Sequence, residues 1–274
     1  MEGESPLADA TIIGVFRQTT VHSKTDSVTP EPGFCRLDTM SNRQIIARNL
    51  DQIRKDIEAA CARAGRLPDS VQLVAVTKYA DLEWVRALIE LGETHLGESR
   101  PQQMCRRVEE LSGDVCWHMI GHLQRNKVDV VIPAAELIHS VDSLRLLRKI
   151  ESSGATLGKR QRVLLEVNVS GEESKDGFSP GDLRLNWQEI LCLQHVDIQG
   201  LMTMAPHSDD AKAARPFFTK LRELRDELAA PSKGGLILPE LSMGMSGDFE
   251  IAIEEGATLI RVGSRIFEGL ERAE

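Results

Sequence analysis

From residue 71 to residue 262 the sequence alternates, eight times over, between a short apolar or β-branched run and a stretch of helical pattern. The strand-like runs are 71–78, 94–98, 115–120, 137–141, 163–169, 198–204, 241–245 and 258–262. Helical stretches lie between them at 82–91, 101–111, 123–130, 143–152, 183–192, 211–228 and 247–255, and a short final helix is expected after the last strand. Runs such as Leu73-Val74-Ala75-Val76 are apolar without a break, which suits strands covered on both faces. Strict alternation of strand and helix favours a parallel sheet. Eight units in about 230 residues favour one closed α/β barrel, a (β/α)8 TIM barrel over 41–274, rather than an open doubly wound sheet. No GxGxxG follows the first strand, which weakens the dinucleotide-binding form of the open sheet. A helix capped by Ser41 or Asn42, with the stripe Ile45, Ile46, Leu50, Ile53, Ile57 and Ala60, leads into the barrel.

Residues 1–40 differ from the rest. They are rich in Ser, Thr, Pro and Gly, with one apolar cluster at Ile12-Ile13-Gly14-Val15-Phe16, and they read as a flexible extension. Glu2 and Glu4 stand where a signal peptide needs basic residues, so no leader is expected, and Met40 is a second candidate start. The net charge of -9 argues against a nucleic-acid surface. No apolar run approaches the roughly 20 residues that cross a bilayer. Five scattered cysteines without a CxxC pair suit a reduced, cytoplasmic protein.

In a barrel, chemistry gathers at the C-terminal ends of the strands. The first strand ends at Thr77-Lys78, an unusual place for a lysine unless its amine meets a ligand or snorkels to water. The others offer Glu98 and Ser99, His118 and Gly121, Ser140 and Asp142, Asn168 and Ser170, Met202 and Thr203, Ser242 to Ser246 without Met245, and Arg261, Gly263 and Ser264. Barrels often hold phosphate between the loops after strands seven and eight. Ser246-Gly247-Asp248 reads as a capped helix start there, and Gly263-Ser264 as the matching turn; ordinary turn chemistry would use the same residues. A lysine on strand one and a phosphate cradle across the mouth suit a ligand with an aldehyde at one end and a phosphate at the other. Pyridoxal 5'-phosphate has that form. An imine on Lys78 needs a neutral amine, which burial under a barrel mouth favours. Arg261, two residues before Gly263, would share its face and reach the pyridine nitrogen, disfavouring protonation of the ring.

The segments LVAVTK (73–78), WHMIGHLQRNK (117–127), VLLEVNVSGEESKDGF (163–178), GLMTMAP (200–206), LSMGMSGDFEIAIEEGAT (241–258) and RVGSRIF (261–267) closely resemble, in order, those of the pyridoxal phosphate homeostasis proteins. The resemblance covers most of 41–269. It implies a single barrel of the alanine racemase N-terminal-domain type, with the cofactor held as an imine on Lys78. Ser246, Gly247, Gly263 and Ser264 match phosphate-binding positions, and Arg261 the arginine facing the ring nitrogen. Ser99, Asn168 and Met243 complete the expected cofactor-binding set. The implied role is to bind the cofactor and keep its free level in order, without catalytic turnover and without a metal. A monomer is expected, meeting pyridoxal phosphate-dependent apoenzymes transiently, with no nucleic acid and no membrane as partners. Gly97-Glu98-Ser99-Arg100 departs from the family's Gly-Glu-Asn-Tyr, and Gly247, His122 and Arg125 replace the more usual Ala, Pro and Ser.

Three other readings compete. A racemase of this fold pairs the lysine with a tyrosine from a second domain; the chain ends soon after strand eight, and its single tyrosine, Tyr79, would project away from Lys78 on an ideal strand. A Schiff-base aldolase would need Glu98, His118 or Asp142 beside Lys78. A metal site from Cys116, His118 and His122 is disfavoured, because His122 lies beyond Gly121 and turns away.

Overall fold

The computed structural model describes residues 40–111, 113–172, 175–230 and 237–271. The expected extension lies outside the described residues, except for Met40. The eight strands are β1 (Gln72–Val76), β2 (His95–Glu98), β3 (Cys116–Met119), β4 (Leu137–Val141), β5 (Gln161–Glu166), β6 (Val196–Met202), β7 (Glu240–Ser242) and β8 (Leu259–Val262). Each is parallel to the next, and β8 returns to β1 through Val74 opposite Arg261 and Ala75 opposite Val262, so the barrel is closed. Closure removes the sheet edges that would otherwise need partners.

The helices are α1 (Asn42–Arg63), α2 (Leu82–Glu90), α3 (Pro101–Glu110), α4 (Val128–Val131), α5 (Leu144–Leu157), α6 (Pro180–Leu191), α7 (Arg215–Ala229) and α8 (Phe249–Glu254). Ser41 caps α1 through a capping box with Gln44, and Ile46, Leu50, Ile53 and Ile57 are buried along one stripe. Two helical expectations fail. The 123–130 stretch is a 3-10 turn at Arg125–Lys127 followed by the single turn of α4. After β8, residues 264–269 form turns rather than a helix.

Strand alternation sorts the side chains into two cores. Leu73, Ala75, Leu96, Met119, Leu165, Leu241, Met243, Ile260 and Val262 face the helices and join the large core. Val74, Leu137, Leu164, Met202 and Leu259 point inward and form a separate apolar layer inside the barrel. The other inward positions are polar: His118, His139, Ser242, Glu166 and Arg261 are all at least nine-tenths buried. Of these, Glu166 and Arg261 reach the cavity at the C-terminal ends of the strands, and His118 the one at the opposite mouth.

Candidate functional site

A cavity of about 760 Å³ opens at the C-terminal ends of the strands. Its lining includes Lys78, Ser99, Ser246, Gly247, Arg261, Gly263 and Ser264, seven of the nine residues singled out in the sequence. Met243 is not among them: Ser242 points inward, so Met243 points outward into the helix-facing core. Asn168 is not there either. Strand β5 ends at Glu166, and the Asn168 amide instead organises the following loop. Its Nδ2 donates to the carbonyls of Glu172 (2.7 Å) and Lys175 (3.2 Å), while its Oδ1 accepts from Ser170 and Gly171.

Lys78 sits in a turn past the end of β1 rather than on the strand, and it is half-buried. Its Nζ lies 5.1 Å from the centre of the Tyr79 ring. Tyr79 also lines the cavity, against the strand-based expectation, because two-residue alternation stops where β1 stops. The turn is clamped from below by a residue the sequence reading passed over. Arg107 of α3, buried beneath the loop, donates to the carbonyls of Thr77 (2.9 Å) and Ala80 (2.6 Å) and pairs with Glu98. Glu98 Oε1 also accepts from the Thr77 hydroxyl at 2.7 Å. Burial pushes the Glu98 carboxyl up and the Arg107 guanidinium down, while Thr77 and the Arg107 charge pull the carboxyl the other way. Two carbonyl acceptors and a carboxyl oxygen engage three of the five guanidinium N–H donors. The available signal was Arg107 on the apolar side of α3, six residues after Pro101.

Across the mouth, Ser246 does not cap α8; Asp248 occupies the cap position, and its Oδ1 accepts from the Met245 N–H at 2.6 Å. Ser246 Oγ instead accepts the Gly263 N–H at 3.2 Å, tying the two loops together. The N–H groups of Gly247 and Ser264 donate to no backbone carbonyl among the described residues. A Cβ at Gly247 would stand in open space. These loops therefore present free donors to the cavity, the composition of an anion cradle. Gly121 serves a different end: a Cβ there would meet the Ser99 backbone oxygen at 2.4 Å.

On the inner wall Arg261 donates to Ser242 Oγ and, at 3.0 Å, to the Thr203 carbonyl. Burial lowers its guanidinium to about 10, opposed by the charges of Glu166 and Asp248. Glu166, 6% exposed, is pushed up to about 7 by burial and then by Asp142, with Arg261 opposing. Trp84 and Phe267, stacked with ring centres 5.7 Å apart, supply an apolar wall. The acid–base candidates of the aldolase reading do not gather at Lys78. Glu98 faces α3, His118 lies inside the barrel, and Asp142 pairs with His122 on the rim at 3.3 Å. Cys116 and His118 line a second cavity at the opposite mouth, while His122 lines the first, so that metal trio is not assembled.

The profile of the alanine racemase N-terminal-domain family matches residues 48–270. A pyridoxal phosphate homeostasis protein of Aquifex aeolicus (strain VF5) is 42% identical over 219 residues, covering 80% of this chain and 95% of the relative. The chain belongs to the pyridoxal phosphate homeostasis protein family. The structure of PipY of Synechococcus elongatus PCC7942 with PLP bound is similar at a TM-score of 0.71 and 35% identity, over 81% of this chain and 99% of that one. An alanine racemase of Clostridium difficile 630 shares the fold alone, at a TM-score of 0.62 and 16% identity, over 84% of this chain and 57% of that one. Family membership and the closed eight-stranded barrel thus agree with the sequence reading. No helix among the described residues is long and apolar enough to cross a membrane.

Proposed function

We propose that the chain binds pyridoxal 5'-phosphate in the 760 Å³ cavity, attached through the Lys78 amine, and serves to hold and release the cofactor rather than to turn over a substrate. The observation that carries the reading is the convergence, in one cavity of a chain of this family, of an amine, unpaired backbone donors and a buried arginine. When bound, the cofactor supplies an aldehyde that condenses with an amine and a ring that withdraws electrons. The protein's part is binding and orientation. The N–H groups of Gly247 and Ser264, with the Ser264 hydroxyl, would hold the phosphate; Ser246 ties their loops; Ser99 and the Trp84–Phe267 wall would flank the ring. Arg261, a permanent donor in the cavity wall, would face the ring nitrogen and disfavour its protonation, which would weaken the ring as an electron sink.

Exposure at the mouth supports release over turnover. Tyr79, Met204 and Met245 are 59%, 44% and 39% exposed, so the site is not sealed from water as proton-transfer chemistry on a carbanion would favour. The apolar and open rim suits transient contact with cofactor-requiring apoenzymes. We place the protein, as a monomer, in the reducing cytoplasm, consistent with free thiols at Cys61, Cys105, Cys116 and Cys192. One observation favours a second reading, slow racemase-like chemistry: Tyr79 lies beside Lys78 at the cavity.

The test is an absorption spectrum of purified protein before and after borohydride, with a peptide map of the adduct. A visible band trapped on Lys78, lost in Lys78→Ala, is expected. A protein that stays colourless with added cofactor would overturn the reading. Exchange of the α-hydrogen of added amino acids in D2O, abolished by Tyr79→Phe, would promote the second.

A further inference from the structure

A line of buried polar side chains runs from Arg261 through the barrel to its opposite mouth. Ser242 Oγ, which accepts from Arg261, lies 2.8 Å from His139 Nδ1. His139 Nε2 lies 2.8 Å from His118 Nδ1, and His118 Nε2 lies 3.0 Å from His95 Nδ1. His139 is fully buried and His118 is 3% exposed. His95 and His118 line the cavity of about 430 Å³ at the N-terminal ends of the strands. None of the three histidines lines the cofactor cavity.

The proton positions follow from one fact: a guanidinium donates and never accepts. Ser242 Oγ has taken an N–H from Arg261, and it has one hydroxyl proton to place. Among the described residues its remaining contact is His139 Nδ1, so that nitrogen accepts. His139 then carries its proton on Nε2 and donates to His118 Nδ1, and His118 Nε2–H donates to His95 Nδ1. The reverse polarity would point two N–H groups at Ser242 and leave its own proton buried without an acceptor, a cost of about 1–3 kcal/mol. A second proton on His118 would put two hydrogens into one gap, and one on His139 would leave the Ser242 hydroxyl proton without an acceptor. Burial acts in the same sense, lowering His118 to about 3 and His139 well below the usual range. Around His95 the facing charges are Glu93, Glu136, Glu240 and Arg162; burial, with Arg162, outweighs the three carboxylates and disfavours the cation.

We propose that His139 and His118 are positioning residues for Arg261, each neutral with its proton on Nε2, in a one-way hydrogen-bond chain Arg261–Ser242–His139–His118–His95 that fixes the guanidinium facing the cofactor cavity. Ser242 and the Thr203 carbonyl hold the two terminal nitrogens of Arg261, and the chain keeps Ser242 in the accepting orientation. Without it the Ser242 hydroxyl is free to turn, and the guanidinium loses one of its two anchors. The chain rests on side-chain geometry alone; its effect on the cofactor rests on the function proposed above.

The decisive measurement uses 15N-labelled full-length protein with no cofactor added. Long-range 1H–15N correlations of the histidine rings report the tautomer directly. His118 and His139 are expected as neutral Nε2–H forms, unchanged from pH 8 to pH 5, and His95 as the Nε2–H form at pH 8. An Nδ1–H or cationic form at His118 or His139 would overturn the polarity. In cofactor-loaded protein, His139→Leu should move the pH midpoint of the visible band by about one unit, and His139→Gln, which accepts and donates, should restore it. An unmoved midpoint in a folded His139→Leu variant would overturn the positioning role. A protein that gives the expected tautomers but no visible band would refute the cofactor reading and leave the chain standing.

Discussion

At the scale of single residues, the proposed site has groups that would hold the ligand and groups that would tune it. The Ser264 hydroxyl, and the Ser246 hydroxyl that ties the two loops, are the first kind. Replacing both with Ala should weaken cofactor retention by roughly tenfold or more, since a hydrogen bond to a charged group is worth about 1.5–3 kcal/mol. The visible band should persist, because Lys78 is untouched. Dialysis followed by titration with cofactor measures this, and an unchanged affinity would move the phosphate elsewhere. Glu166 is the second kind. Its carboxyl is raised to about 7 by burial first and Asp142 second. A raised carboxyl favours the neutral form in the folded protein. Its contribution is therefore fully present below the unfolded value near 4.5 and is lost as pH rises through about 7. Glu166→Gln should be nearly neutral at pH 5 and stabilising by up to about 3 kcal/mol at pH 8. Urea midpoints at the two pH values decide it; equal effects at both would refute the shift.

At the scale of elements, the turn after β1 depends on α3. Lys78 lies in a segment whose flanking carbonyls, Thr77 and Ala80, are both held by Arg107. Arg107→Met leaves Glu98 buried and the two carbonyls without their donor. A loss of about 3–5 kcal/mol is expected, as for breaking one partner of a buried ion pair. The double variant Arg107→Met with Glu98→Gln should recover part of it, and denaturant unfolding of the three proteins tests the coupling. Slower trapping of cofactor on Lys78 in a folded single variant would show that the clamp also aims the amine.

At the scale of the whole molecule, the buried histidines set the acid limb of stability. His118 and His139 are depressed, His118 to about 3, so the folded state refuses protons that the unfolded chain accepts near 6.5. That stability is fully present above about 6.5 and is lost as pH falls toward 3. His118 costs about 1.4 kcal/mol per pH unit over that range, and His139 acts in the same direction. His118→Gln should flatten the dependence of unfolding free energy on pH between 6 and 4, whatever it does to the absolute value. An unchanged slope would mean that His118 is protonated in the folded protein.

The barrel was legible because its cause is local. Unbroken apolar runs and amphipathic stripes repeat along the chain, and strand ends at 76, 98, 119, 141 and 262 fall within a few residues of where the patterns stop. Ser246, Gly247, Gly263 and Ser264 were legible as cavity lining because they follow strands seven and eight, where the mouth of a barrel lies. By itself the sequence determined the fold class, the family and seven of the residues that line the cavity. The tertiary structure decided what depends on where a strand stops and which way it faces. Tyr79 reaches the cavity because β1 ends at Val76; Asn168 leaves it because β5 ends at Glu166; Met243 turns away because Ser242 turns in. Arg107 and the three histidines come from four separate elements, α3, β2, β3 and β4. Their meaning lies in partners 9 to 103 residues away, and only closure of the barrel brings those partners within hydrogen-bond reach.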